Sequence, residues 1–137
     1  MLSQVNQIFE RLIYKRLISF IDEFDILSDK QFGFRKRHST EHAIINLKEY
    51  ILQNLEKGES TAILFLDLQK AFDTVDHSIL LSKLEHYGIR GRALNLIKAY
   101  LSNRVQCTVL DNELSDMEHV LFGVPQGSVL GPLLFLL

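Results

Sequence analysis

The chain has 137 residues, of which 47% are hydrophobic and 23% are charged, and its formal net charge is −2. This length suits one domain with a single hydrophobic core, and the balanced composition excludes a disordered or collagen-like chain. The small negative charge argues against a surface that binds nucleic acid over its whole extent, although the run RKRH at residues 35–38 leaves room for a local basic patch.

The sequence contains one cysteine, Cys107, which excludes a disulfide framework and a zinc site built from cysteines. No apolar stretch approaches the roughly 18 residues that are needed to span a bilayer. We therefore expect a protein that works in a reducing, intracellular setting and not in a membrane.

An amphipathic helix is predicted over residues 1–24, because apolar side chains recur there at steps of three and four positions. The opposite side of this helix is expected to carry the charged residues Glu10, Arg11, Lys15 and Arg16. Residues 26–39 are rich in polar side chains and are predicted to form a loop. A second helix should begin at Ser39 or Thr40, either of which can cap it, and end near Lys57. The residues of this helix that should face inward are Ile44, Leu47, Ile51 and Leu55.

A strand is predicted over residues 61–66, because the sequence TAILFL is apolar on both faces, as is typical of a central strand with cover on both sides. Asp76 is well placed to cap a third helix over residues 77–87, which Gly88 would end. A fourth helix is predicted over residues 92–101.

A β-hairpin is predicted in the last third of the chain. Residues 105–109 alternate with period two, residues 117–124 form the return strand, and Asp111 and Asn112 provide turn residues. These elements predict an α+β fold, in which one sheet contains residues 61–66 and the hairpin, with helices mainly on one face. The sequence ends in the apolar run LLFLL, which we expect to lack packing partners and to belong to a longer protein.

Asp67 follows the predicted strand directly, in the segment FLDLQKAFDTVD. A carboxylate at the edge of a buried strand needs a partner, and a hard cation such as Mg²⁺ takes oxygen ligands of this kind. The alternative interpretation is that Asp67 only ends the strand and caps the next turn. Asp73 and Asp76 are interpreted as caps or turn formers, because both lie in a loop that enters a helix.

The segments FLDLQKAFDTVDH and GVPQGSVLGPLLF closely resemble motifs of reverse transcriptases, in particular those of non-LTR (LINE-type) retrotransposons of the jockey and chicken-repeat-like groups. The segments QFGFRKRHST, KLEHYGIRG and YLSNR resemble sequences that recur between those motifs. The resemblance covers essentially the whole chain, in matching order. It implies that residues 1–137 form a partial reverse transcriptase domain, made of polymerase palm and part of the fingers.

The resemblance implies a catalytic and metal-binding role for Asp67, with the Leu68 carbonyl completing the coordination of Mg²⁺. Phe72 would lie at the sugar of the incoming nucleotide, where a flat, stiff ring excludes a ribose 2′-hydroxyl. The alternative for Phe72 is a core phenylalanine under the following helix.

Further nucleotide contacts are implied by the same two motifs. Gln69, Lys70 and Ala71 would present backbone N–H groups to the triphosphate. Gln126 would touch the nucleotide sugar, and Gly127 would allow the backbone to approach closely. Taken alone, the Pro-Gln-Gly sequence could be an ordinary turn before a helix.

The basic residues Arg35, Lys36 and Arg37 would suit the phosphates of a template or primer, although such a run can also be a solvated loop. His38 and His42 are four residues apart, a spacing that can hold zinc on one helix face. However, His38 is expected to precede the helix and no third ligand is near in sequence, so zinc is not favoured.

The parent activity implied by the resemblance is RNA-directed DNA synthesis from dNTPs on an RNA template and a DNA primer, with two Mg²⁺ ions. The family's other two metal-binding aspartates, in a Tyr/Phe-Ala-Asp-Asp hairpin, and its Arg-Pro-Ile-Ser-like motif do not occur in the sequence. We expect this polypeptide alone not to polymerise DNA, and the parent to work in the cytoplasm and nucleus. Alternatives are a non-catalytic remnant that binds RNA or protein, and a viral RNA polymerase, which would favour a small or polar residue at position 72.

Overall fold

A computed structural model of the chain describes residues 4–111 and 113–137. Residues 1–3 of the predicted first helix and Asn112 of the predicted turn lie outside these ranges. The helices are α1 Gln4–Glu23, α2 Thr40–Glu56, α3 His77–His86, α4 Gly91–Leu101 and α5 Gly131–Leu136. The strands are β1 Val105–Gln106, β2 Val109–Leu110, β3 Glu113–Leu114 and β4 Glu118–His119. Helices combined with small antiparallel sheets make an α+β fold, as predicted.

The predicted helices form close to their expected limits, because the signals that start them act locally. The Ser39 hydroxyl accepts a hydrogen bond from His42 N and caps α2. The Asp76 carboxylate accepts hydrogen bonds from Ser78 N and Ile79 N and caps α3. Hydrogen bonds from the Ser78 side chain and from these backbone groups lower the pKa of Asp76. None of the described helices is long and apolar enough to cross a membrane.

The hydrophobic core is built by α1, α3, α4, α5 and the loops beside them. Its buried residues are Leu17, Ile21, Leu27, Leu80, Leu84, Ile89, Ile97, Leu101, Val124, Leu130, Leu133, Leu134 and Leu137. The run LLFLL thus supplies Leu133, Leu134 and Leu137 to the core, so the expectation that it lacks packing partners is wrong. The reason is α5, which begins with Pro132 in its first turn and directs these leucines inward.

The predicted strand over residues 61–66 is wrong. This segment pairs with no strand among the described residues, and Leu64, Phe65 and Leu66 are 81%, 80% and 81% exposed. An apolar sequence becomes a strand only where a neighbouring strand completes its backbone hydrogen bonds, and the described strands pair among themselves. The predicted common sheet is therefore wrong as well, because β1 pairs with β4 and β2 pairs with β3 in separate two-stranded sheets.

The predicted hairpin is formed, but with an interruption. Val105 pairs with His119 between β1 and β4, and Val109 pairs with Leu114 between β2 and β3, both antiparallel. The single strand expected over residues 105–109 is therefore two short strands. Of the return strand expected over residues 117–124, only Glu118–His119 (β4) is a strand, and it pairs with β1, whereas β2 pairs with β3, which was not predicted.

The expected inward face of α2 is only partly correct, because α2 contributes no described residue to the core. Ile44 and Leu55 are exposed, and the other two expected residues are half-buried. The buried residue of this helix is Asn54, whose Nδ2 donates a hydrogen bond to Thr61 Oγ1 over 3.0 Å. A polar contact and not an apolar stripe therefore links α2 to the segment that follows it.

Two leucine substitutions test this fold. Leu84, which is 0% exposed on α3, should lose about 2–5 kcal/mol in free energy of unfolding when changed to alanine, because a cavity remains. Leu64→Ala should change the free energy of unfolding by less than about 0.5 kcal/mol, as for other surface positions. Urea denaturation followed by circular dichroism measures both. A loss of about 2 kcal/mol or more for Leu64→Ala would instead place residues 61–66 in a buried strand.

Candidate functional site

Within the segment at residues 67–76, residues 69–73 fold into a tight turn. Asp73 N donates a hydrogen bond to Lys70 O over 2.8 Å, and Thr74 Oγ1 donates to Ala71 O over 3.2 Å. Lys70 has a φ of +51°, in the left-handed region that residues with a Cβ seldom adopt. The predicted role of Asp73 as a turn former is therefore confirmed.

Backbone hydrogen bonds join this turn to a distant part of the sequence. Val124 N donates to Phe72 O over 2.9 Å, and Gly123 N donates to Val75 O over 2.8 Å. Gly123 has a φ of +85°, and a Cβ at this position would lie only 2.8 Å from Asp73 Cα. Glycine is therefore required for the close approach. We call this contact, formed by Phe72, Val75, Gly123 and Val124, the junction.

A side-chain hydrogen bond lies beside the junction. Gln126 Nε2 donates to Asp73 Oδ1 over 2.8 Å, and both residues are exposed. Gly127 has a φ of +76°, which suits glycine, so the Pro-Gln-Gly sequence forms a turn. The pairing of Asp73 with Gln126 was not predicted, because no local pattern signals a partner so far along the chain.

Phe72 is half-buried between two other aromatic rings. It stacks on Phe135 of α5 with a centroid distance of 4.5 Å and meets the edge of Phe34 at 5.5 Å. Phe72 therefore packs against the core, as the alternative for this residue expects, although its stacking partner lies on α5 and not on α3, the helix that directly follows it. Its role at a nucleotide sugar stays a prediction.

A cleft of about 630 Å³ opens beside the junction and is also lined by residues of β1 and β4. Its size lies within the range of small-molecule sites, about 300–1,000 Å³. Two of the residues predicted to bind nucleotide, Lys70 and Gln126, line this cleft. Asp73, Arg104 and His119 line it as well and were not predicted as site residues. Lys70 and Arg104 bring two cationic residues to this lining, which suits phosphate groups, while Asp73 brings an anionic one.

The predicted metal ligands lie on the surface. Asp67 and Leu68 are exposed, as is Gln69, and none of the three lines the cleft. Asp67 is therefore not packed in hydrocarbon. Within residues 4–111 and 113–137 no group of three or more His, Cys, Asp or Glu side chains could hold a metal ion.

The basic loop before α2 is only partly free to bind a partner. Arg35 is half-buried, and its Nη1 donates to Ser28 O over 2.7 Å. Lys36 and Arg37 are exposed. The His38 ring lies 2.9 Å from the Lys36 carbonyl through Nδ1, a contact that stabilises the loop. Two cationic side chains of the predicted patch are thus available to phosphate.

Glu10 is a residue that the sequence interpretation placed wrongly. It was expected on the charged side of α1, but it is 2% exposed. Its carboxylate accepts hydrogen bonds from Val129 N over 2.7 Å, Leu130 N over 3.3 Å and the Tyr100 hydroxyl over 3.2 Å. Burial is the main reason that the pKa of Tyr100 is raised. The available signal was that Glu10 precedes buried Leu17 by two helical turns and therefore shares its face.

Comparison with known protein families identifies the family of this chain. A family model described as reverse transcriptase (RNA-dependent DNA polymerase) matches residues 1–137. The chain therefore belongs to the reverse transcriptase family. No solved structure matches it.

Relatives from mobile elements specify the kind of reverse transcriptase. The chain is 40% identical to the probable RNA-directed DNA polymerase from transposon BS of Drosophila melanogaster over 98% of its length. It is 37% identical to the corresponding protein from transposon X-element of Drosophila melanogaster over 100% of its length. It is 35% identical to the RNA-directed DNA polymerase from mobile element jockey of Drosophila funebris over 98% of its length. The chain spans 15% of each relative. The resemblance to jockey-type non-LTR retrotransposons is confirmed.

The pairing of Asp73 with Gln126 can be tested by a double-mutant cycle. Asp73→Ala, Gln126→Ala and the double variant should reveal a coupling free energy of about 0.5–1.5 kcal/mol, because each single change removes the same hydrogen bond. Urea denaturation of the four proteins measures it. Gln69→Ala combined with Asp73→Ala serves as the control and should be additive, because Gln69 makes no hydrogen bond with a described residue. Additivity for the Gln126 pair would show that the contact contributes nothing.

Proposed function

We propose that this chain forms part of the palm and fingers of a non-LTR retrotransposon reverse transcriptase and supplies one side of its nucleotide site. The observation that carries the proposal is the junction, beside which Lys70, Asp73 and Gln126 line one cleft. The printed names of the relatives describe RNA-directed DNA polymerases. On that basis the proposed substrates are a dNTP, an RNA template and a DNA primer.

The proposed reaction of the complete enzyme is nucleotidyl transfer. The primer 3′-hydroxyl attacks the α-phosphate of the dNTP, the new P–O bond forms as the bond to the β-phosphate oxygen breaks, and pyrophosphate leaves. There is little covalent chemistry for the protein to perform in such a transfer, so positioning and charge stabilisation dominate. The residues of this chain would bind and orient the nucleotide.

The oxygen donors at Asp67 and Leu68 fit a hard cation such as Mg²⁺ in kind, since one is a carboxylate, the other a carbonyl, and both residues are exposed. When bound, the ion would supply positive charge next to the reacting phosphate. The described residues include no larger cluster of metal ligands, so these donors would form only part of a metal site. We therefore propose that this polypeptide alone does not polymerise DNA.

Residues around the cleft would contact the nucleotide itself. Lys70 lines the cleft, and backbone N–H groups of Gln69 and Ala71 would meet the triphosphate beside it. Gln126 would donate to the sugar, and Gly127 would let the backbone approach. Each assignment follows the family motif, and the cleft supports those of Lys70 and Gln126.

Two further contacts are proposed at the edges of the site. The part of the Phe72 ring that is not buried would exclude a ribose 2′-hydroxyl, while its stacking on Phe135 would hold the ring still. Lys36 and Arg37, which are exposed, would neutralise template or primer phosphates, with Arg35 holding their loop in shape.

A non-catalytic module that binds RNA or protein is the second candidate. It is favoured by the exposed apolar side chains of Leu64, Phe65 and Leu66, which provide a surface for a partner. It is also compatible with the lack, among the described residues, of a group of three or more side chains that could hold a metal ion.

Transplantation into a relative distinguishes the two candidates. Residues 1–137 would replace the matching segment of the jockey polymerase, which supplies the remaining domains. We expect the chimera to extend a DNA primer on an RNA template and Asp67→Asn to lower the extension rate at least about 100-fold, because a carboxylate that would hold the cation next to the reacting phosphate is lost.

The matched control for this experiment is Asp22→Asn, an exposed aspartate on α1 that should leave the rate unchanged. Full activity of the Asp67→Asn chimera would refute the assignment of Asp67. A folded chimera without activity, together with RNA binding by the isolated chain, would favour the non-catalytic module.

A further inference from the structure

Glu10 is a buried carboxylate that the proposed function does not use. It is 2% exposed, its Oε2 accepts hydrogen bonds from Val129 N and Leu130 N, and its Oε1 accepts one from the Tyr100 hydroxyl. Within the described residues no Lys, Arg or His forms an ion pair with it. A buried carboxylate without a cation contributes less to stability than an apolar side chain of similar size would. Its hydrogen bonds therefore point to a role beyond packing.

The two backbone donors come directly after the Pro-Gln-Gly turn. Inside the turn, Ser128 Oγ donates to Pro125 O over 2.6 Å and accepts from Gly131 N over 2.9 Å. Outside the turn, Glu10 holds the two N–H groups that lie between Ser128 and Gly131. Gln126 is therefore carried by a turn that is fixed both internally and from α1.

Tyr100 connects Glu10 to Arg104, a second residue that lines the cleft. Its hydroxyl donates to Glu10, and its ring centroid lies 5.6 Å from the guanidinium carbon of Arg104, within cation–π range. Arg104 and Gln126 both line the cleft. Glu10 thus contacts both the chain that follows Gln126 and the Tyr100 side chain that packs against Arg104.

We propose that Glu10 is a positioning residue of the cleft: it fixes the Pro-Gln-Gly turn, and so the direction of Gln126, and it holds Tyr100 behind Arg104. The identity of the ligand, a dNTP, rests on the proposed function, but the effect of Glu10 on the turn is measurable without a ligand. If Glu10 only attached α1 to the core, its replacement would loosen the core as a whole.

Amide hydrogen exchange of the 137-residue chain, measured by NMR, separates these outcomes. In Glu10→Gln, exchange at Val129 and Leu130 should become at least about tenfold faster beyond the change in global stability, because both amides donate to Oε2 and an amide oxygen in its place is a weaker acceptor than a carboxylate oxygen. The matched control is Leu17→Ala, which removes a buried side chain of the same helix and should affect these amides only in proportion to the core. Proportional change in Glu10→Gln as well would overturn the proposal.

Titration with dATP connects the turn to the ligand. Glu10→Gln should weaken dATP binding about two- to tenfold, whereas Leu17→Ala, in conditions where it is folded, should not. Unchanged binding in Glu10→Gln would overturn the link to the cleft. If the unsubstituted chain binds no dATP while the two amides still exchange faster in Glu10→Gln, the assignment of dATP to the cleft of this chain fails and the positioning of the turn stands.

The unsubstituted chain decides the matter if Glu10→Gln does not fold. The amides of Val129 and Leu130 must then be protected from exchange and shifted downfield, as expected for donors to a carboxylate. Unprotected amides at both positions would overturn the proposal.

Discussion

The backbone hydrogen bond from Val124 N to Phe72 O is the contact on which the candidate site depends. It holds together two segments that are distant in sequence, and the neighbouring Gly123 permits the approach because a Cβ would come within 2.8 Å of Asp73 Cα. Backbone contacts of this kind fix the register of two segments whatever side chains they carry. The meeting of Asp73 with Gln126 is a consequence of that register.

The core supports the junction through α5. Phe135 on this helix stacks on Phe72, while Leu134 on the same helix is buried among the leucines of α1, α3 and α4. Glu10 holds the chain immediately before α5 by two backbone hydrogen bonds. The cleft and the hydrophobic core therefore share their supports, and a change that loosens α5 will also reach Gln126.

The sequence predicted the parts of the fold whose causes are local. Ser39 and Asp76 mark helix starts within a residue, because a cap and an apolar period act over one or two turns. The error at residues 61–66 has the opposite origin, since strand formation depends on a partner that a local pattern does not specify. The candidate site shows the same difference between local causes and distant partners. The family motif singled out Gln126, but only the folded chain revealed Asp73 as its partner.

Contacts with the described residues order the two sides of the candidate site to different degrees. On the side that we propose to bind nucleotide, Gln126 is hydrogen-bonded to Asp73, next to the junction. On the side that we propose to bind metal, Asp67 makes no hydrogen bond with a described residue and follows a segment that has no strand partner among them. A ligand that must be ordered when the ion binds holds that ion weakly, because the ordering opposes binding. Pairing of residues 61–66 with a further strand would order Asp67 in the way that the junction orders Gln126.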